Sequence, residues 1–195
     1  MTGTQKILNL INEKGYLLAD GATGTNLFDM GLESGYPPEL WNEEKPDLVS
    51  MNHKNFIEAG SDILLTNSFG ANRYRLKLHN CEDRVREINI AAARIAKENA
   101  SSSDRIVLVA CSIGPTGEIL EPIGPLSIED ATSAFTDQAM ALKEGGSDML
   151  WIETMSSIEE MEAAINAAGK TNLPTICSLI FLFLFFISVH LFIAS

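Results

Sequence analysis

The feature that most restricts the fold of this chain is a regular alternation of short apolar runs with longer amphipathic stretches. The apolar runs have the length of β-strands, and their nearly continuous apolar character is typical of strands buried on both faces. The predicted strands cover residues 16–20 (YLLAD), 63–66 (ILLT), 106–112 (IVLVACS), 149–153 (MLWIE) and 174–178 (PTICS). The predicted helices cover residues 47–59, 82–100, 128–144 and 157–168.

Five βα units in this order predict an α/β fold with a parallel sheet. Two architectures satisfy the pattern, namely a doubly wound open sheet and part of an eight-stranded α/β barrel. Periodicity alone leaves both open.

The acidic composition bears on the class of partner. With 26 acidic and 14 basic residues the formal charge is −12, and the basic residues form no cluster with interleaved aromatic side chains. We therefore expect no nucleic acid partner.

Cys81, Cys111 and Cys177 lie far apart without CxxC spacing, which argues against a disulfide framework and a local zinc knuckle. The first residues lack the pattern of a secretory signal, so we expect a cytoplasmic protein.

Polar residues follow the predicted strands directly, where α/β folds bind their ligands. Asp20 closes the first predicted strand and Glu153 closes the fourth. If the two carboxylates converge, they suit a ligand ammonium group, a metal ion or acid–base chemistry. The alternative is that Asp20 caps the next helix and Glu153 is a solvated strand end. The run DGATGT at 20–25 lacks the GxGxxG and GxxxxGK[ST] spacings, so a phosphate cradle is not favoured.

Four motifs lie at the ends of the predicted strands, namely LLADGATGTNLFDMG, ELWNEEKPDLVSMNHKNFIEAGSDILLTNSFGANRYRL, CSIGPTGE and DMLWIETMSSIEEMEAA. Together they resemble the motifs of the homocysteine S-methyltransferase family. That family includes betaine–homocysteine methyltransferases and the homocysteine-binding module of cobalamin-dependent methionine synthase. The resemblance covers about residues 5–178 and implies a (β/α)8 TIM-type barrel, here incomplete with about five βα units.

The resemblance also implies a function and a site. It implies transfer of a methyl group to the thiol of homocysteine, giving methionine, with betaine, methyl-folate through cobalamin, or S-methylmethionine as the donor. Asp20 and Glu153 resemble the acidic residues that hold the homocysteine amino group. The implied substrate-binding residues are Asp20, Gly21, Thr66, Asn67 and Glu153. Residues 112–117 would form a glycine-rich loop over this site, or a plain turn.

The family uses a zinc ion bound by three cysteines. This sequence has no cysteines at positions that match those three zinc ligands. The family's ligands are one cysteine after the sixth strand and an adjacent pair after the eighth, and this sequence contains no Cys-Cys pair. We therefore assign no metal ligand and no catalytic residue, and we expect the chain alone to be inactive. Cobalamin or folate would act through other modules.

The segment 179–195 departs from the family pattern. From Thr175 to Ser195 the chain has no charged residue, and Phe and Leu dominate. Three explanations remain open: a disrupted or truncated reading frame, a membrane anchor, and a buried strand or helix of a complete small domain. We therefore divide the chain into a homocysteine-binding part, 1–178, and an aberrant apolar tail, 179–195. The alternative function is a non-catalytic amino-acid-binding remnant, tethered to a membrane through the tail.

Overall fold

The computed structural model describes the backbone of residues 3–183 and 186–194 and the side chains of residues 3–180. From residue 46 to β4, one or more helices precede each strand, and β5 follows β4 without a helix between them. The α-helices are α1 (Gly3–Lys14), α2 (Thr23–Asp29), α3 (Trp41–Glu44), α4 (Pro46–Glu58), α5 (Arg73–Lys77), α6 (Val85–Ser101), α7 (Ile128–Glu144) and α8 (Ile158–Gly169), with short 3-10 helices at Pro38–Leu40 and Glu82–Arg84. The strands are β1 (Ile63–Leu65), β2 (Leu108–Ile113), β3 (Met149–Met155), β4 (Thr175–Phe183) and β5 (Phe186–Ala194).

The strands form one sheet in the order β1-β2-β3-β4-β5. Strands β1 to β4 are parallel neighbours, and β5 returns antiparallel to β4. The predicted α/β class and its parallel sheet are therefore confirmed over these four strands. Three of the four predicted helices, now α4, α7 and α8, lie within a residue or two of the predicted positions; the fourth begins as a 3-10 turn before α6.

The first predicted strand, 16–20, is only partly formed. It lies beside β1 with a single parallel bridge between Ala19 and Ile63, and Asp20 N donates to Ile63 O at 2.9 Å. The next bond of a parallel ladder would run from Leu65 N to the backbone carbonyl of Asp20. Leu65 N instead donates to the side-chain Oδ2 of Asp20 at 2.9 Å. The carboxyl group thus replaces the backbone acceptor and ends the ladder.

The connecting helices pack against one face of the sheet. Leu64 of β1 and Val109 of β2 lie in a core cluster with Ala96 and Ala100 of α6. On the same face, Leu150 and Ile152 of β3 belong to the larger cluster that holds side chains from α7 and α8, including Phe135, Leu142, Met161 and Ala164. A doubly wound sheet carries helices on both faces, whereas a barrel carries them only on its outer face.

The opposite face of the sheet is covered at its amino end by α1. Leu10 is buried with Leu108 and Met149 there. Two ion pairs hold the helix in place, from Lys6 Nζ to Asp148 Oδ1 at 2.7 Å and from Lys14 Nζ to Asp62 Oδ1 at 2.5 Å. Both aspartates follow a Gly-Ser pair and directly precede a strand residue, at 60–62 and 146–148. Helix α1 and its two ion pairs thus close the amino end of the sheet. The carboxyl end remains available for a ligand-binding site.

The tail is described only in part. Its backbone forms the end of β4 and the antiparallel strand β5, so the predicted boundary at residue 178 falls inside β4. The side chains from residue 181 onward lie outside the part of the chain that the structure describes. The three explanations of the apolar tail depend on these side chains and therefore also lie outside it. Among the helices described, none combines the length and apolarity that crossing a membrane requires.

Candidate amino-acid-binding site

Asp20 lies at the carboxyl end of the sheet and is mostly buried. Its Oδ2 accepts the hydrogen bond from Leu65 N. Burial raises the pKa of Asp20 from its ordinary value of 3.8 to about 7, against the lowering effect of the Leu65 amide, and the charge of Glu153 raises it further. The charge of Glu153 thus acts on the carboxyl group of Asp20. The convergence of Asp20 and Glu153 on one pocket stays a prediction.

A bulge in β3 sets the position of Glu153. Ile152 pairs with Cys177 and Met155 with Leu179, so that two residues of β3 lie opposite one residue of β4. The second of these, Thr154, has a φ of +64°, a left-handed conformation that β-branched residues rarely adopt. Its N–H donates to Ser178 Oγ at 3.3 Å. Because a bulge redirects the side chains beside it, this distortion sets the direction in which the Glu153 side chain leaves β3.

Glu153 accepts a short hydrogen bond from a neighbouring strand. Ser112 Oγ, on β2, donates to Glu153 Oε1 at 2.5 Å. Burial raises the pKa of Glu153 above its ordinary value, and the Ser112 hydroxyl counteracts that rise. The site therefore contains two partly buried carboxyl groups with raised pKa values, and the described side chains supply no ion pair to either one. Such a pair favours a ligand that brings its own positive charge.

The other predicted binding residues differ in how they face this site. Gly21 is exposed directly after Asp20. Thr66 and Asn67 are buried and hydrogen-bonded within the protein. Asn67 Nδ2 donates to Pro38 O at 2.8 Å, so the side chain points to the segment before α3. Asn67 therefore supports the turn after β1 with its side chain.

The predicted loop 112–117 is tied down at both ends. Gly114 N donates to Phe69 O at 3.0 Å, and a Cβ at position 114 would lie 2.5 Å from Phe69 Cε2. The backbone N–H and the hydroxyl of Thr116 both donate to Glu160 Oε1, at 2.7 and 2.6 Å. Glycine at 114 is thus required by close packing. The loop is held by Phe69 on one side and by α8 on the other.

The three cysteines do not form a zinc site. Cys111 and Cys177 are buried in β2 and β4, and burial raises their pKa values to about 12 and about 11, which favours the protonated thiols. Cys81 is half-buried, and its Sγ donates to His79 O. Among the side chains of residues 3–180, no group of three His, Cys, Asp or Glu residues is arranged to hold a metal ion. The family's three-thiolate zinc does not fit the residues described.

Sequence reasoning missed two features of the site. The Ser112 hydrogen bond to Glu153 joins residues 41 positions apart, so no local pattern indicates it. The left-handed conformation of Thr154 has no sequence signal either, because the residues that usually adopt it are Gly and Asn.

Comparisons with known proteins bear on the family of the chain. The family model described as "Homocysteine S-methyltransferase" matches residues 17–184. The methionine synthase of Mycobacterium tuberculosis (strain ATCC 25618 / H37Rv) is 32% identical over 170 residues, which are 82% of this chain and 14% of that protein. The methionine synthase of Mycobacterium leprae (strain TN) is 31% identical over 161 residues, which are 76% of this chain and 13% of that protein.

Solved structures show the same fold. The oxidized form of the homocysteine methyltransferase MmuM from Escherichia coli has a TM-score of 0.73 and 23% identity, covering 87% of this chain and 63% of that one. Its metallated form has a TM-score of 0.72 at the same 23% identity, covering 86% of this chain and 64% of that one. The chain thus spans a small part of the methionine synthases and under two thirds of MmuM. With the family model matching residues 17–184, the chain belongs to the homocysteine S-methyltransferase family.

Proposed function

We propose that this chain binds homocysteine through its amino-acid end, with Asp20 and Glu153 holding the ammonium group. The observation that carries the proposal is the pair of half-buried carboxyl groups with raised pKa values at the carboxyl end of the sheet, to which the described side chains supply no ion pair. An ammonium group offers three hydrogen-bond donors and the missing positive charge. Gly21 and the Thr66-Asn67 turn line the same end of the site, as the family resemblance implies.

The proposed architecture is the first part of a (β/α)8 barrel. The support for it is the packing of α4, α6, α7 and α8 on one face of the sheet and the fold likeness to MmuM. In this arrangement the segment 16–20 and strands β1 to β4 supply five consecutive barrel strands. Residues 1–178 then form the homocysteine-binding part, and the apolar segment 179–195 continues from the middle of β4 into β5.

The proposed reaction of the family is a methyl transfer to sulfur. The thiol of homocysteine loses its proton, the sulfur attacks the methyl carbon, the bond from that carbon to the donor breaks, and methionine forms. The described residues supply binding and orientation of the amino acid. They do not supply thiol activation, because the cysteine thiols are separated and two are held protonated by burial. We therefore propose that the isolated chain binds homocysteine without methylating it.

Homocysteine binding should strengthen as the pH rises. The carboxylate form of Asp20 binds an ammonium ion, and the pKa of Asp20 is about 7. For one group with this pKa the affinity should rise about tenfold between pH 6 and pH 8, and the raised pKa of Glu153 adds to the effect. Isothermal titration calorimetry over this range tests the proposal. Repeating the titration at pH 7 in buffers of different ionisation enthalpy should show release of protons on binding. A pH-independent affinity, or no binding at all, would contradict it.

The isolated chain should neither retain zinc nor form methionine. Metal analysis of the purified full chain is expected to find well under one zinc per chain. Incubation with homocysteine and betaine, S-methylmethionine or methylcobalamin should leave homocysteine unchanged by mass spectrometry. One tightly held zinc per chain, or methionine from any of these donors, would overturn the proposal of binding without turnover. The donor that gives methionine would then be identified as well.

A further inference from the structure

Ser112 occupies a central place in a network of hydroxyl groups at the carboxyl ends of β1 and β2. Its Oγ donates to Glu153 Oε1 at 2.5 Å. Its backbone is held on both sides, because Ser112 N donates to Thr66 Oγ1 at 3.1 Å and Ser68 Oγ donates to Ser112 O at 2.7 Å. Thr66 Oγ1 and Ser68 Oγ lie 2.6 Å apart. All three residues are buried.

Counting the protons gives this network a direction. Each hydroxyl group has one proton to donate. Ser68 gives its proton to Ser112 O, so in the contact between Thr66 and Ser68 the donor is Thr66. Ser112 gives its proton to Glu153. Thr66 therefore has no hydrogen-bond donor left for a ligand, and its hydroxyl acts on the site through Ser112.

The groups around Glu153 explain why a donor is needed there. The segment 16–20 contributes the carboxyl group of Asp20, whose charge is coupled to that of Glu153. Strand β2 contributes the Ser112 hydroxyl, which donates to Glu153, and β4 contributes Ser178, whose Oγ accepts from Thr154 N. Two carboxyl groups without a donor between these strands would favour a shared proton over two charges. The Ser112 hydroxyl is the side-chain donor that the described residues supply to Glu153.

We propose that Ser112, oriented by Thr66 and Ser68, is a positioning residue that occupies Oε1 of Glu153 and leaves Oε2 to accept the ammonium group of homocysteine. This inference rests on the proposed function. It adds a role for Ser112 and reassigns Thr66 from the wall of the binding site to the support of Ser112.

The test compares Ser112→Ala with the full wild-type chain. The pKa of the Glu153 carboxyl group is measured without ligand by carbon-detected NMR, and homocysteine affinity is measured by calorimetry across the pH range. Loss of a hydrogen bond to a charged group should raise the Glu153 pKa by about one pH unit, so homocysteine binding should weaken by up to about tenfold at pH values below that pKa. The binding deficit should shrink as the pH rises above the Glu153 pKa. Ser112→Thr, which keeps the hydroxyl, should restore the wild-type pH profile.

Two further variants separate positioning from general damage. Ser147→Ala removes a hydroxyl that is also buried, just before the amino end of β3, and should leave the Glu153 pKa and the binding profile unchanged. Thr66→Val should raise the Glu153 pKa by less than Ser112→Ala does. An unchanged Glu153 pKa in Ser112→Ala, or an equal change in Ser147→Ala, would overturn the inference. Failure of the wild-type chain to bind homocysteine would instead overturn the proposed function.

Discussion

Replacing Asp20 by Asn or Glu153 by Gln is expected to weaken homocysteine binding at pH 8 by about 30-fold, because each variant loses a charge-assisted hydrogen bond of about 2 kcal/mol. The double substitution should abolish measurable binding. Both changes keep the shape of the side chain. The amide oxygen of each variant still accepts the local hydrogen bond, from Leu65 N at position 20 and from Ser112 Oγ at position 153. Calorimetric titration of the purified variants measures the effect.

A ligand without an amino group provides the first control. 4-Mercaptobutanoate has the chain, thiol and carboxylate of homocysteine but no ammonium group, so its affinity should not fall in either variant. Asp29→Asn changes an exposed acidic residue at the end of α2 and should bind homocysteine as the wild type does. If Asp20→Asn and Glu153→Gln each bound homocysteine within about twofold of the wild type, the proposed ammonium site would be wrong.

The stability of Asp20→Asn separates lost binding from lost folding. A carboxyl group whose pKa is raised from 3.8 to about 7 in the fold holds its proton more tightly there than in the unfolded chain. The wild type therefore loses stability as the pH rises from 3.8 through 7. Asn at position 20 cannot ionise and escapes this loss. At pH 8 the variant should have a melting temperature equal to or above that of the wild type while its binding is weaker.

Acid should destabilise the protein through His53, which is the second large effect expected. His53 on α4 is fully buried, and neither ring nitrogen has a hydrogen-bond partner among the described residues. Burial lowers the pKa of His53 from 6.5 to about 4. Above pH 6.5 the residue is neutral in both states. As the pH falls from 6.5 to 4, the unfolded chain takes up the proton first, which costs about 3 kcal/mol of folding stability.

The variant His53→Leu isolates the contribution of His53 to the free energy of unfolding. The difference in unfolding free energy between the wild type and His53→Leu, measured by urea denaturation at pH 7 and pH 4.5, should change by about 2 to 3 kcal/mol in favour of the variant at the lower pH. Using a difference removes the opposing effects of Asp20 and Glu153, which both chains share. His79→Leu alters an exposed histidine and should follow the wild type at both pH values. If the difference in unfolding free energy between the wild type and His53→Leu were the same at both pH values, His53 would take up its proton in the folded protein as readily as in the unfolded chain.

The sequence by itself predicted strands β1 to β4 and helices α6, α7 and α8 between them, but not the short α5, because apolar periodicity records which side of each longer element is buried. The capped helices illustrate this well. Ser127 and Ser157 precede α7 and α8, and their hydroxyl groups accept from Asp130 N and Glu160 N three residues later, at 3.0 and 3.1 Å. These are local interactions, so the signal for them lies within a few residues of the chain.

The sequence also predicted that Asp20 and Glu153 close their strands and converge on one pocket. In the structure Glu153 lies inside β3, two residues before the end of the strand at Met155. It could not predict how Asp20 ends its strand. That outcome depends on a side-chain oxygen competing with a backbone carbonyl for Leu65 N, a contact between residues 45 positions apart. For the same reason 16–20 was predicted as a full strand. Helix α1 was missed because ion pairs with Asp62 and Asp148 help to hold it, and both partners are distant in the sequence.

Only the tertiary structure shows on which side of the sheet the helices pack, with α4, α6, α7 and α8 on one face, because that side leaves no trace in the spacing of their apolar residues. The same applies to the orientation of Glu153. The bulge at 153–154 arises from the mismatch between β3 and β4, and the Ser112 hydrogen bond arises from the register of β2 with β3. Residue types and strand ends are properties of the chain, whereas the direction in which a carboxylate points is a property of the strands packed beside it.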